Sequence, residues 1–211
     1  MLWSAGLLVA AAAALIVDLP VGCWCLERKC PEFLRELFRG AEVFGQGWGV
    51  ALIAIAILQI DPARRWAIPR TVTIAVATLA VNLLKMMLVR WRPKHFDFQG
   101  PVWSTFGEWL PLGSAGYPGQ SLPSGHTATA VALAIALAWL YPRGRWFFAC
   151  LAVLVACQRM ETGAHWPSDV LAGAAVGCLM AVLCLDVGPL AEAFDRWESR
   201  WKGPAAGPLT R

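Results

Sequence analysis

The amino-acid sequence predicts an all-α integral membrane protein in which six transmembrane helices form one bundle. Hydrophobic residues make up 58% of the chain and charged residues only 15%, with a mean hydropathy of +0.54, whereas soluble domains have roughly 25% charged residues. The apolar residues also occur in blocks, and about 20 of them in a helix cross the hydrocarbon core. A single domain, residues 1–211, is predicted because no repeat, linker or low-complexity tract divides the chain.

Six apolar blocks are predicted as membrane spans. The first is interpreted as a retained helix and not as a signal peptide, because it begins without a basic residue and Asp18 and Pro20 interrupt it. The second, fourth and fifth are short and need weakly polar flanking residues to reach spanning length. In chain order, the blocks are Leu2–Leu26, Trp48–Ile60, Ile68–Val89, Thr127–Tyr141, Trp146–Cys157 and Val170–Val187.

The distribution of basic residues predicts the orientation of the bundle. With a cytoplasmic N-terminus, nine basic residues lie in cytoplasmic segments, including Arg70, Lys202 and Arg211. Six lie in outer loops, including Arg90, when Lys85, Arg92 and Arg159 are left out of the count. This excess agrees with the positive-inside rule. It predicts a protein of the plasma (inner) membrane with its active site at the outer (periplasmic) helix ends. Because the basic residues are scattered, the net charge of +4 does not indicate a nucleic-acid partner.

The first of three polar clusters contains Lys85, Arg92 and Pro93. Seven residues are about two helical turns, so both cations are predicted on one face of the third helix, which Pro93 would end. Two cations on one face suit a bound anion. The alternative is that both side chains extend toward lipid headgroups.

The second cluster is Pro123-Ser124-Gly125-His126, directly before the fourth apolar block. Ser124 is a typical N-cap residue, and Gly125 lets a ligand approach the backbone. The free N–H groups and partial positive charge of a helix start suit a phosphate. His126 would then be placed to donate a proton, or it is an ordinary interfacial histidine.

The third cluster runs from Arg159 to His165 and Asp169. His165 and Asp169 are four residues apart, and Pro167 between them suits the first turn of a helix. A hydrogen bond from the imidazole to Asp169 would fix the tautomer and leave the other nitrogen as a nucleophile. The alternative is a capping aspartate beside a surface histidine.

The order Lys-x6-Arg-Pro, Pro-Ser-Gly-His and Arg-x5-His-x3-Asp resembles the membrane lipid phosphatase branch of the type 2 phosphatidic acid phosphatase (PAP2) family. The resemblance implies that His165 is the nucleophile that forms a phosphohistidine, that Asp169 orients it, and that His126 is the general acid and base. It also implies a set of phosphate-binding residues: Lys85, Arg92, Ser124, Gly125 and Arg159. One departure is Gln158, since the family's third motif usually opens with Ser-Arg.

The resemblance implies a phosphatase that acts on a lipid phosphate or pyrophosphate. Three fixed cations and a helix N-terminus can replace metal ions in neutralising the phosphate, so no metal or other cofactor is predicted. Undecaprenyl pyrophosphate and phosphatidylglycerol phosphate are the first candidates, with phosphatidic acid and a lipid A phosphate as alternatives. Transfer to a second lipid, a non-catalytic lipid-binding protein and an anion transporter are further alternatives. A transporter would have charges along several helices at mid-depth, whereas these cluster at one end. The sequence leaves open the oligomeric state and a disulfide among Cys23, Cys25 and Cys30.

Four tryptophans near the clusters are predicted to lie at the membrane interface, as an aromatic belt or in contact with substrate. They are Trp91, Trp103, Trp109 and Trp166.

Overall fold

Helices form most of the described part of the protein. The structure, a computed structural model, describes residues 2–77, 80–112, 114 and 116–201. The helices are α1 (Leu2–Leu26), α2 (Glu32–Ala41), α3 (Gly47–Ile60), α4 (Ile68–Ala77), α5 (Ala80–Lys85), α6 (Gly125–Leu140), α7 (Arg145–Glu161), α8 (Pro167–Leu185) and α9 (Pro189–Trp201). Short 3₁₀ turns lie at Glu42–Gly45, Pro62–Ala67, Pro93–His95, Val102–Thr105, Tyr117–Gly119 and Pro142–Gly144. Two strands, β1 (Leu88–Arg90) and β2 (Phe106–Trp109), form an antiparallel pair.

The predicted apolar blocks are helical over most of their described length. The first coincides with α1, and α3, α6, α7 and α8 begin one to three residues before the predicted starts. The sequence did not predict α2 or α9, since charged residues interrupt the apolar residues of both.

The third block differs from the prediction at its end. The helix ends at Lys85, Met86 and Met87 form a turn, and the chain continues as β1. The carbonyl groups of Met86 and Met87 accept backbone hydrogen bonds from Leu112 and Leu110, at 3.2 and 2.8 Å. The all-α prediction therefore misses a small sheet, because a short apolar strand cannot be told from a helix end by periodicity.

Three segments of the described chain are individually long and apolar enough to cross a membrane: Leu2–Leu26, Pro62–Lys85 and Pro167–Leu185. A bent pair of helices, Glu32–Gly45 and Gly47–Ile60, would make a fourth span if the two together cross the membrane. They meet at a bend of 72°. The helix α6 is apolar but has only 16 residues. These segments support a membrane protein, while the six spans stay a prediction.

The core of the bundle is built around α6, which contacts α4, α7 and α8. Its buried residues include five alanines, and small side chains let helices approach closely. The α8 residues Gly173 and Gly177 face it. An added Cβ would lie 2.3 Å from the Ser124 carbonyl oxygen at Gly173 and 2.5 Å from the Ala128 carbonyl oxygen at Gly177. This close crossing brings the N-terminal ends of α6 and α8 together.

Two arginines used in the orientation argument are not loop residues in solvent. Arg70 is 2% exposed and pairs with α9, and Arg90 is fully buried. Two other residues of that count, Lys202 and Arg211, lie outside the described residues. The positive-inside argument therefore depends on fewer charges than the sequence suggested.

All three cysteines near the end of α1, which are within the described residues, are free thiols. Cys23 is exposed, and Cys25 and Cys30 are buried. The structure therefore contains no disulfide at this end of the described bundle.

Candidate active site

The predicted site residues meet at one cavity at the N-terminal ends of α6 and α8. Its volume is about 450 Å³. Six of the eight predicted residues line it: Lys85, Arg92, Gly125, His126, Arg159 and His165. The remaining lining residues are Gly45, Gln46, Gly47, Trp48, Asn82, Tyr117, Gln120 and Thr129. Ser124 and Asp169 are fully buried behind this lining.

The start of α6 is held against the start of α8. The Ser124 N–H donates to the carbonyl oxygen of Asp169 at 3.0 Å. The Ser124 hydroxyl lies 2.9 Å from that of Thr127 and accepts from the Thr127 N–H at 3.5 Å, which confirms the predicted N-cap. The first turn, with Gly125 and His126, borders the cavity and brings the positive end of the helix dipole to it. Contact between the Ser124 hydroxyl and phosphate stays a prediction.

His165 and Asp169 are neighbours but do not form the predicted hydrogen bond. Nδ1 of His165 is 3.8 Å from the Asp169 carboxylate and has no hydrogen-bond partner among the described residues. The carboxylate instead accepts from the Ser121 hydroxyl at 2.5 Å and from the Trp166 N–H at 3.0 Å, and it pairs with Arg90. The bond to Trp166 is a helix cap, so Asp169 has the capping role that the sequence offered as the alternative. Its role in orienting His165 stays a prediction.

Burial sets the protonation state of His165, which is only 3% exposed. Removal from water lowers the pKa of the imidazole from 6.5 to about 4, although the Asp169 carboxylate opposes this change. The positive charges of Lys85 and Arg92 lower the pKa further. His165 is therefore neutral at neutral pH, which is the form that acts as a nucleophile.

Lys85 and Arg92 both line the cavity, but they do not share a helix face. Lys85 is the last residue of α5, whereas Arg92 is extended and follows β1. Pro93 begins a 3₁₀ turn and does not end a helix. The predicted common face was wrong because a turn and a strand separate the two cations. They meet because the strand returns the chain to the same end of the bundle.

The Arg92 guanidinium is fixed by three backbone carbonyl groups. It donates to Tyr117 at 3.0 Å, to Ala164 at 3.1 Å and to Gln120 at 3.0 Å. It also lies over the Tyr117 ring, 3.9 Å from the ring centroid. An arginine has five N–H donors, so two remain for a ligand in the cavity.

Arg159 is held by the residue before it and by the bend between α2 and α3. Its guanidinium pairs with Glu42 at 2.6 Å and donates to the side-chain oxygen of Gln158. Gln158 in turn donates to Glu42 at 3.0 Å, so the three side chains form a closed ring. The residue that departs from the family pattern therefore fixes a cation of the site.

Comparison with known families gives the decisive observation. Residues 66–191 match the model of the PAP2 superfamily, and this range contains all eight predicted site residues.

The chain belongs to the PAP2 superfamily.

Similar curated proteins are named phosphatases. The PAP2 chain is 34% identical to a lipid A 1-phosphatase of Rhizobium etli over 193 residues, 82% of this chain and 78% of that protein. It is 38% identical to a lipid A 1-phosphatase of Rhizobium johnstonii over 112 residues, 53% of this chain and 43% of that protein. It is 27% identical to an undecaprenyl-diphosphatase of Sulfolobus acidocaldarius over 142 residues, 65% and 64% of the two chains. The protein is therefore a phosphatase.

Two solved structures have a similar fold. LpxE of Aquifex aeolicus has a TM-score of 0.56 at 17% identity, covering 81% of this chain and 96% of that one. A transmembrane PAP2-type phosphatidylglycerolphosphate phosphatase of Bacillus subtilis has a TM-score of 0.62 at 18% identity, covering 93% and 97%. These likenesses show that the chain shares the fold of both proteins, one of which is named a transmembrane PAP2-type phosphatase.

Several site residues were missed from the sequence. Tyr117 and Gln120 come from the long connection before α6, where no periodic pattern places a side chain. Glu42 follows an unpredicted helix. The sequence did show Asp18 as a carboxylate within an apolar helix, where a charge usually has a partner. Its partner is Arg90, which was interpreted as a loop residue. Trp166 is fully buried and donates from its ring nitrogen to the Trp91 carbonyl at 2.8 Å, so its predicted interfacial position was wrong.

Proposed function

We propose that this PAP2 phosphatase removes phosphate from a membrane lipid through a phosphohistidine at His165 and requires no metal. The observation that carries the proposal is the cavity lining. It combines the neutral His165 with three cations, and none of its described residues is a carboxylate. Such a lining fits an anion, and phosphoryl transfer depends mainly on positioning and on neutralising charge on the phosphoryl oxygens.

His165 is the nucleophile, and His126 is the general acid and base. The His165 imidazole attacks phosphorus, and the bond to the lipid oxygen breaks as the N–P bond forms. His126 donates a proton to that leaving oxygen. It then takes a proton from a water molecule whose oxygen attacks the phosphohistidine, the N–P bond breaks, and orthophosphate leaves. Asp169 stabilises the positive charge on the His165 ring in both steps.

The cations and the start of α6 hold the phosphoryl oxygens. Lys85, Arg92 and Arg159 reach the cavity from three elements, and the backbone at Gly125 adds the positive end of a helix dipole. These groups supply the charge neutralisation that a metal ion supplies in other phosphoryl-transfer enzymes. We therefore expect activity to persist in EDTA.

The comparisons favour a lipid A phosphate at the 1 position as the first substrate to test. Two relatives named for that activity match this chain at 34% and 38% identity. Undecaprenyl diphosphate is the second candidate, because a relative at 27% identity is named for it. Phosphatidylglycerol phosphate and phosphatidic acid complete the panel.

The test is phosphate release by detergent-purified protein, in EDTA, from these four lipids. Wild type is compared with His165→Ala and with His95→Ala, a matched control because His95 does not line the cavity. We expect release from one lipid, loss in His165→Ala and retention in His95→Ala. Equal release by wild type and His165→Ala would contradict the mechanism. A parallel reaction with an unphosphorylated acceptor lipid separates hydrolysis from phosphotransfer.

We further propose that the protein lies in the inner membrane with the cavity facing the periplasm. Trp91, Trp103 and Trp109 support an interface at the cavity end, since they are 38%, 65% and 78% exposed near the small sheet. Exposed tryptophans concentrate at the headgroup level of membranes.

A further inference from the structure

Behind the cavity, α1, β1 and α8 meet at a charged cluster with no exposed surface. The Arg90 guanidinium lies between two carboxylates, donating through Nη1 to Asp169 and through Nη2 to Asp18. Asp18 also accepts from the Ser168 hydroxyl at 2.5 Å and from the Ser168 N–H at 3.0 Å. Asp18, Arg90 and Asp169 are each 0% exposed.

The charges of this cluster do not cancel. One guanidinium faces two carboxylates, so the cluster has a net charge of −1 when both are ionised. Removing charges from water is expensive, and a buried ion pair is weak evidence for stability by itself. The excess negative charge lies beside the cavity, because the second oxygen of Asp169 is 3.8 Å from Nδ1 of His165.

We infer that Asp18 and Arg90 are positioning residues for the nucleophile. Arg90 holds Oδ1 of Asp169. The other oxygen, Oδ2, accepts from the Ser121 hydroxyl and the Trp166 N–H and lies 3.8 Å from Nδ1 of His165. Asp18 shares the guanidinium, so Asp169 is not fully neutralised and retains negative charge toward the imidazole. This inference rests on the proposed role of His165.

In this arrangement, α1 contributes to the active site through Asp18. Asp18 lies outside residues 66–191, the range that matches the family model. It reaches the site because α1 packs along α8, where Gly22 lies against the Trp166 ring, and an added Cβ would be 2.5 Å from that ring. Asp18 also bonds the N–H of Ser168 in the first turn of α8, so it fixes the helix start that carries Asp169.

Asp18→Asn tests the inference directly. Without the second carboxylate, Arg90 neutralises Asp169 alone, and the positively charged ring formed during phosphoryl transfer is less stabilised. We expect kcat to fall by about 10- to 100-fold, the range for mutating the partners that orient metal-binding histidines, which hold an imidazole in a comparable way. The KM for the lipid should stay within about twofold. The residues that line the cavity are unchanged, so they still bind the lipid equally well before and during the reaction.

Arg90→Lys and Ser168→Ala extend the test. A lysine keeps the charge but lacks the two N–H branches of the guanidinium that hold two carboxylates at once. Arg90→Lys should therefore lower kcat in the same way. Ser168→Ala keeps every charge and removes two hydrogen bonds, the one that the hydroxyl donates to Asp18 and the one that it accepts from Arg90. It therefore remains informative if Asp18→Asn does not fold. We expect a smaller loss of kcat, about two- to tenfold.

A matched control exists at the opposite end of the bundle. Arg70 pairs there with Asp195 at 2.6 Å and Glu198 at 3.0 Å, also between helices. Glu198→Gln should lower thermal stability as Asp18→Asn does, but leave kcat per folded molecule unchanged.

The outcomes separate this inference from the proposed function. A lower kcat at constant KM in Asp18→Asn, with normal kcat in Glu198→Gln, supports positioning. Full kcat in folded Asp18→Asn, while His165→Ala is inactive, overturns the positioning role alone. If His165→Ala is active, the proposed function fails first, and the positioning role fails with it.

Discussion

Burial at the start of α8 gives His165 properties that a surface histidine lacks. Its side chain is 3% exposed, and the pKa of the imidazole falls from 6.5 to about 4. The sequence indicated this residue through its spacing to Asp169. It could not indicate the depth of burial, because that depends on how the helices pack around the N-terminal end of α8.

The low pKa of His165 can be measured by titration. In a His95→Gln, His126→Gln variant, a ¹⁵N-histidine NMR titration should report only His165, with a midpoint near 4. Because the folded pKa lies below the unfolded value of 6.5, the unfolded state binds more protons between these values. Stability should therefore decrease as the pH falls from 6.5 to 4. A midpoint near 6.5 would show that His165 is solvated.

Gln158 occupies the position where the family pattern has serine. Gln158→Ser removes the hydrogen bond to Glu42 at 3.0 Å and the one from Arg159. Hydrogen bonds contribute roughly 0.5–1.5 kcal/mol each, so loss of both weakens binding by about 1–3 kcal/mol. We expect KM to rise by about 5- to 150-fold with little change in kcat. Steady-state kinetics measure this, with the exposed Gln99→Ser as control. An unchanged KM would show that Arg159 does not need this support.

Among the elements, the crossing of α6 and α8 decides whether a site exists. Both helices bring their N-terminal ends to the cavity, and the backbone bond from Ser124 to Asp169 joins them at 3.0 Å. Gly173 permits the approach, since an added Cβ would lie 2.3 Å from a backbone oxygen that cannot move independently of α6.

Gly173→Ala should therefore push α8 away from α6. Overpacking typically destabilises by about 1–3 kcal/mol, and here the displaced helix also carries Asp169. We expect a lower midpoint of thermal unfolding together with a lower kcat. Gly6→Ala is the control, since an added Cβ there meets nothing within 4 Å. Equal stability of the two variants would mean that the crossing is looser than described.

Features set by local sequence were predicted, whereas features that depend on contacts between distant residues were not. Apolar blocks and the Ser124 cap predicted the helices well, because both signals are local. The common face of Lys85 and Arg92 was predicted wrongly, because β1 exists only through its pairing with β2, residues distant in sequence. The ring of Glu42, Gln158 and Arg159 is likewise tertiary, and no spacing in the sequence indicates it.

For the whole molecule, the main question is how the bundle lies in the membrane. Three described segments are long enough to span, and a bent pair makes a fourth, whereas the sequence predicts six spans. Six spans place both ends of the chain on one side. If that side is the cytoplasm, the cavity end of the bundle, near which Trp103 and Trp109 are exposed, would face the periplasm.

Reporter fusions test this arrangement. At Trp201, a reporter that works only in the cytoplasm should be active. At Gln99, near the exposed sheet, a reporter that works only in the periplasm should be active. The reverse pattern would place the site in the cytoplasm and exclude periplasmic lipids as substrates.

The central claim is that His165 becomes covalently phosphorylated, and trapping the intermediate tests it most directly. His126→Ala lacks both the acid for the first step and the base for the second. The trap therefore uses an aryl phosphate, whose leaving oxygen needs no proton, and this substrate should convert the variant to a phosphoenzyme that persists. After an alkaline quench, which preserves phosphohistidine, peptide mass spectrometry should find one added phosphoryl group on the peptide containing His165, and none in a His126→Ala, His165→Ala double variant. A phosphoryl group on another residue, or steady phosphate release without any labelled peptide, would contradict the account.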